Sequence, residues 1–135
     1  MQKTFYHGIT AGALSALACI VYSNAYNGAM MTDFSKVVSI GGIIGSCIFG
    51  CVLASLGYYF FAKKVTSNTD VWFNIIFLIL TFASFVGPFS ATLPLDMESP
   101  ELFAGLTIPM HIFPILFWLA TKPLFFKSEN SNRIF

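Results

Sequence analysis

The chain alternates long apolar runs with short polar breaks, and its charges fall in the breaks. No Asp, Glu, Lys or Arg occurs between Lys3 and Asp33, between Lys36 and Lys63, between Asp70 and Asp96, or between Glu101 and Lys122. A bilayer's hydrocarbon core is about 30 Å thick, and a helix rising about 1.5 Å per residue needs about 20 apolar residues to cross it. The pattern therefore predicts four membrane-spanning helices over about 4–26, 37–62, 71–95 and 102–121, with 123–135 left as a polar tail. Each run ends at charge rather than at turn chemistry, as expected where lipid sets the length. The links are short, that between the third and fourth runs being "DMESPE", so sequential helices should be antiparallel neighbours. The expected fold is a single all-α membrane domain over 1–135, a four-transmembrane-helix bundle running up-down-up-down.

Composition supports lipid as the solvent. Only 10% of the 135 residues are charged and 56% are hydrophobic, whereas a soluble domain carries about 25% charged residues. Charge position then sets orientation. Lys3, Lys63, Lys64, Lys122, Lys127 and Arg133 fall on one side of the four spans, and Lys36 falls on the other with Asp33, Asp96, Glu98 and Glu101. Basic residues mark the cytoplasmic side, so both termini are expected there. Tyr6, Tyr58, Tyr59, Trp72 and Trp118 fall at the cytoplasmic ends of their spans, and Tyr22 and Tyr26 at the outer end of the first, as interfacial anchors. The basic, then apolar, then small-residue start also has the makings of a signal peptide. The length of its apolar run and its two interfacial tyrosines favour a retained helix. The tail "KSENSNRIF" is expected to fray.

The three cysteines, Cys19, Cys47 and Cys51, lie inside apolar runs, are odd in number and lack redox spacing, so they read as small packing residues. Helices in lipid associate by close packing of small residues. Gly8, Gly12 and Ala16 form one such row on the first span. Gly42, Ser46, Gly50 and Ala54 form another on the second, with Gly41 and Gly45 beside them. The two rows are expected to meet within the chain, with dimerisation as the alternative.

The fourth span carries His111 at its centre, between Pro109 and Pro114 in "GLTIPMHIFPILFWLA". A polar group at that depth faces the bundle interior or water rather than lipid. Thr81 and Ser84 on the third span lie at matching depth, and Thr107 is one turn from His111. Pro109 and Pro114 lack N–H groups and so free the carbonyls of Gly105 and Met110, and Pro88 frees that of Ser84. These groups would form a small polar pocket around His111. Two roles remain open for the ring: a hydrogen bond that locks two helices, or a function. The functional forms are proton carriage and binding of a lipid-soluble ligand such as a quinone. A proton relay normally chains several ionisable groups, and none lies within the spans. No second ligand sits at the depth of His111, so no haem or metal is expected.

The segments "VWFNIIFLILTFASFVGPFSATLP" and "AGLTIPMHIFPILFWLA" resemble a family of small four-helix bacterial integral membrane proteins of unknown function. In that pattern the third helix carries a Ser and a Pro toward its outer end, matched by Ser84 and Pro88. The fourth leads through small residues to a Met-His step, matched by Met110 and His111. The resemblance covers about half of the chain and implies a four-helix fold in the bacterial cytoplasmic (inner) membrane, but no activity.

Neither a Gly-rich phosphate loop, nor a nucleophile with a nearby base, nor a basic patch is present, so neither a cofactor nor nucleic acid is expected and enzyme activity is disfavoured. Lys63–Lys64 is first a topology signal, with contact to anionic lipid heads as an incidental effect. The expected function is a non-enzymatic structural or accessory membrane component, partnered by the lipid bilayer and by a homo-oligomer or larger membrane complex. The alternative is a binder or carrier of a small hydrophobic or weakly polar ligand, held by His111, Ser84, Thr81 and Thr107.

Overall fold

The computed structural model describes residues 2–65, 67–94, 97 and 99–126, and among them it contains helices and no strand. The helices are α1 (Gln2–Met30), α2 (Ile40–Lys64), α3 (Thr69–Ser84), the short α4 (Val86–Ser90) and α5 (Phe103–Phe125), the last entered through a 3₁₀ turn at Pro100–Leu102. Four helical stretches are long and apolar enough to cross a membrane: Gln2–Met30, Ile40–Lys64, Thr69–Ser90 and Pro100–Phe125. Large apolar side chains cover their outer faces, with Leu17, Val21, Phe49, Ile79, Leu80 and Phe82 all more exposed than buried. Such a surface suits hydrocarbon and is costly in water.

Helix ends depart from the charge-free runs for local reasons. The expectation of a span to 95 is not met, since the third stretch leaves the helix after Ser90. Pro88 has no N–H to return to Ser84, and the chain tightens just before it, where Phe85 N–H reaches the Phe82 carbonyl at 3.1 Å. Ala91 is then extended, three residues ahead of Pro94. At the other extreme α5 runs past 121 to Phe125 and takes in Lys122. α2 starts at a defined cap, with Ser39 in the β region and its hydroxyl accepting from Gly42 N–H at 3.1 Å. Such a cap stabilises a helix by about 1 kcal/mol. Lys63 and Lys64 occupy the last turn of α2, where the helix dipole favours cations. The tail at 127–135, and Leu95, Asp96 and Glu98 of the last link, lie outside the described residues.

α1 is the most buried of the helices, packed between α2 and α5. A Cβ placed on Gly12 would sit 2.6 Å from Ile48 Cα, and one on Gly8 2.9 Å from Val52 Cα. The two backbones touch, and only glycine leaves the space. As α1 advances from Gly8 to Gly12, its partner on α2 retreats from Val52 to Ile48, so the pair runs in opposite directions. Ala16 and Cys19 continue the seam against Ile43 and Cys47.

The small row of α2 does not join this contact. Among the described residues a Cβ on Gly41, Gly45 or Gly50 would meet nothing within 4 Å, and α2 instead gives α1 a face of Cys47, Ile48, Cys51 and Val52. One bare face is enough to bring two helices together, and side chains on the other then interlock with it.

Trp118 is at the centre of the second contact region. It is wholly buried, in one cluster with Ala11, Cys51 and Phe73, and with Tyr58 and Phe77 packed against it. Its Nε1–H donates to Ser55 Oγ at 3.0 Å. That bond removes the need for water, so Trp118 is a core residue and not the interfacial anchor its position suggests. α3 touches α2 and α5 but, among the described residues, not α1. Its firm attachment is at its start. Phe73 packs on Trp118, Asp70 accepts from Tyr58 at 2.6 Å, and Asp70 also pairs with Lys122 at 2.9 Å. Beyond Phe77 α3 buries only Thr81. At the opposite end of the bundle the link after α1 folds back and buries Phe34 against Phe103 and Leu106. In that link the Ser35 hydroxyl, and then the Ser35 N–H at 2.9 Å, hold the Asp33 carboxyl below the usual carboxylate range.

Candidate functional site

Because α3 is held at one end, a groove of about 980 Å³ opens between it, α2 and α5. One wall is the small row of α2, with Gly42, Ser46, Gly50, Ala54 and Gly57. The facing wall is α3, from Phe73 through Leu80 to Ser84. The floor is α5, with Thr107, Met110, His111 and Pro114, and Cys19 and Cys47 show at its edge. The lining is overwhelmingly apolar and includes no Asp, Glu, Lys or Arg.

All four of the residues singled out in the sequence, Thr81, Ser84, Thr107 and His111, line this groove. Among the described residues no hydrogen bond joins one of these side chains to another, since each bonds to a backbone carbonyl. Thr81 donates to the Phe77 carbonyl at 2.9 Å, Ser84 to the Thr81 carbonyl at 2.6 Å, and Thr107 to the Phe103 carbonyl at 2.9 Å. Each hydroxyl proton is thus spent on its own helix, the usual habit of Ser and Thr in an apolar helix. His111 is half-buried, with its Nδ1 2.8 Å from the Thr107 carbonyl oxygen. A carbonyl has no proton to give, so Nδ1 carries the hydrogen and donates. In the neutral ring the lone pair then lies on Nε2, which has no partner among the described residues. The Phe85 ring stands edge-on to the imidazole, 6.3 Å between centroids.

The proline-freed carbonyls of α5 serve a different contact from the one expected. Tyr22 OH donates to the Gly105 carbonyl at 2.9 Å, and the Cys19 thiol reaches the Met110 carbonyl at 3.6 Å. Both partners come from α1. They belong to a longer ladder. Tyr26 OH donates to the Leu102 carbonyl at 2.9 Å, Ser15 to that of Phe113 at 3.3 Å, and His7 Nε2–H to that of Trp118 at 2.9 Å. Residues 7, 15, 19, 22 and 26 recur at steps of seven or eight and three or four, so they share one face of α1. That recurrence was visible in the sequence as a polar stripe beside the glycine row, and sequence reasoning missed it.

A second polar group lies near the ends of α1 and α5. His7 is wholly buried under Trp118 and the Phe125 and Phe126 rings, and its Nδ1 has no partner among the described residues. Lys122 is beside it, over the Tyr58 and Trp118 rings. His7 is not among the lining residues of the groove, and its hydrogen bond to the Trp118 carbonyl ties α1 to α5. Among the described residues no three His, Cys, Asp or Glu side chains converge as a metal site would require. Cys19 and Cys47 are free thiols with sulfurs 3.7 Å apart in the α1–α2 seam.

Comparison with family models, curated proteins and solved structures finds no match to this chain. What the groove does must be argued from its own residues.

Proposed function

We propose that this chain is an integral membrane protein that binds a small hydrophobic or weakly polar molecule in the groove between α2, α3 and α5, with His111 as its polar contact. The groove itself carries the reading. It combines a large apolar volume with one ring nitrogen left unpaired, and few polar groups set in an apolar cleft are the usual composition of a ligand site. His111 is then the binding residue, while Thr81, Ser84 and Thr107 shape the polar patch around it.

In this proposal the four spans thread the bilayer up-down-up-down with both termini in the cytoplasm. The grouping of Lys3, Lys63, Lys64 and Lys122 on one side supports that orientation. The bacterial inner membrane is the proposed location, following the resemblance of the third and fourth spans. The proposed test is mass spectrometry of molecules that copurify in mild detergent with the natural protein and with His111→Leu. The proposal expects a small molecule retained by the former and lost from a normally folded variant. An identical set of bound molecules in both contradicts it.

One observation favours a second reading, that of an accessory subunit. The faces of Gly41, Gly45 and Gly50 are open, and a helix of another subunit in a larger complex, or of a second copy, would pack closely there. A stable complex whose assembly is lost in Gly45→Leu, with His111→Leu silent, would favour that reading over the first.

A further inference from the structure

We propose that the molecule held in the groove is an uncharged lipid whose polar end is a hydroxyl, and that this hydroxyl donates its proton to Nε2 of His111. The inference rests on the reading of the groove as a binding site and adds the chemical class of the occupant. Three observations lead to it.

The first is charge. No Asp, Glu, Lys or Arg lines the groove, and a charged head at this depth would pay a large desolvation cost with no fixed charge to offset it. Phospholipid heads and ionised fatty acids are therefore excluded from the site around His111.

The second is the direction of the hydrogen bonds. The proton of Nδ1 is committed to the Thr107 carbonyl. Those of Thr81, Ser84 and Thr107 are committed to backbone carbonyls, and Ser46 on the facing wall donates to the Gly42 carbonyl at 2.7 Å. The middle of the groove thus offers lone pairs and no free O–H or N–H. An ester, ether or ketone brings only acceptors and would leave its own oxygen and Nε2 both unsatisfied. A hydroxyl brings the one proton the site lacks. The asymmetry is physical: an unmade hydrogen bond in an apolar site costs more than a made one gains over water.

The third is shape. The lining on α2 runs from Ser39 to Phe60, on the order of 30 Å at about 1.5 Å per residue. That length suits an extended apolar chain. The small row of α2 lets the chain lie close to the backbone, and α3, attached at Phe73, leaves the far side open.

The test uses the full chain in lipid nanodiscs with its histidines labelled with ¹⁵N. Hexadecanol and its methyl ether are added separately; they share a body and differ in the donor. Native mass spectrometry reads the bound fraction, and the imidazole nitrogen resonances read the contact. The expected result is binding of the alcohol about fivefold or more above the ether, the effect of one neutral hydrogen bond. The Nε2 resonance of His111 should move with the alcohol alone, while Nδ1 stays in place. In His111→Leu the two probes should bind equally. Equal binding of alcohol and ether by the natural protein overturns the hydroxyl assignment but leaves the groove a ligand site. Binding of neither overturns the reading of the groove itself. The resonance in the natural protein decides the matter even if the variant fails to fold.

Discussion

At the scale of single residues, the same residue type does opposite things on two helices. Gly12 is pressed against the α2 backbone, whereas Gly45 faces open space. Gly12→Ala must push the helices apart, and overpacking of this kind costs roughly 1–3 kcal/mol. Gly45→Ala meets nothing and removes backbone freedom, so it should be neutral or stabilising by up to about 1 kcal/mol. Unfolding midpoints of the two variants in the same detergent check the contrast, and equal losses would refute the packing described here. Ser55 gives a second single-residue prediction. It is wholly buried and accepts the Trp118 N–H. Ser55→Ala strands that donor in the core, and the expected loss is about 1–3 kcal/mol by the same measurement. Neither effect follows from residue type alone, because both depend on what the neighbouring helix presents.

At the scale of helices, the α1–α5 seam is held by side chains of α1 on carbonyls of α5. Pro109 is part of that device, since its missing N–H leaves the Gly105 carbonyl to Tyr22. Tyr22→Phe should cost about 0.6 kcal/mol, a typical interhelical hydrogen bond in a membrane bundle. In a Pro109→Ala background the restored N–H competes for the same carbonyl, so Tyr22→Phe should cost less. A double-mutant cycle measures that coupling, and strict additivity would argue against it. α3 is held mainly by Phe73 and Asp70 at one end. Phe73→Ala should release it at a cost of about 3–5 kcal/mol, visible as a lowered unfolding midpoint. The four spans were legible because an unbroken apolar run is a signal along one dimension. The shared placement of Thr81, Ser84, Thr107 and His111 in one groove was legible because helical periodicity groups them by face and depth. Helix rotation was not legible. The sequence does not say whether the α2 small row meets α1 or stands open, or that α1 rather than α3 takes the freed carbonyls, since both are decided by how three helices fit together. The early end of the third stretch lies in the local backbone at Ala91, which turns extended ahead of Pro94, a detail below the resolution of a hydropathy pattern.

At the scale of the whole molecule, the described residues form an apolar bundle whose α3 wall is held firmly only at its start. α1, α2 and α5 form the packed body, and α3 leans on it near Trp118. The opening that results is where lipid would reach the Nε2 of His111. The most direct test is photolabelling of the natural protein, in a bilayer, by a lipid carrying a photoreactive group at mid-chain, with the adducts mapped by mass spectrometry. The account predicts adducts concentrated on Gly50, Leu53, Leu80 and Met110, inside the groove. Adducts spread evenly over the outer faces of all four stretches, with none on Met110, would contradict it.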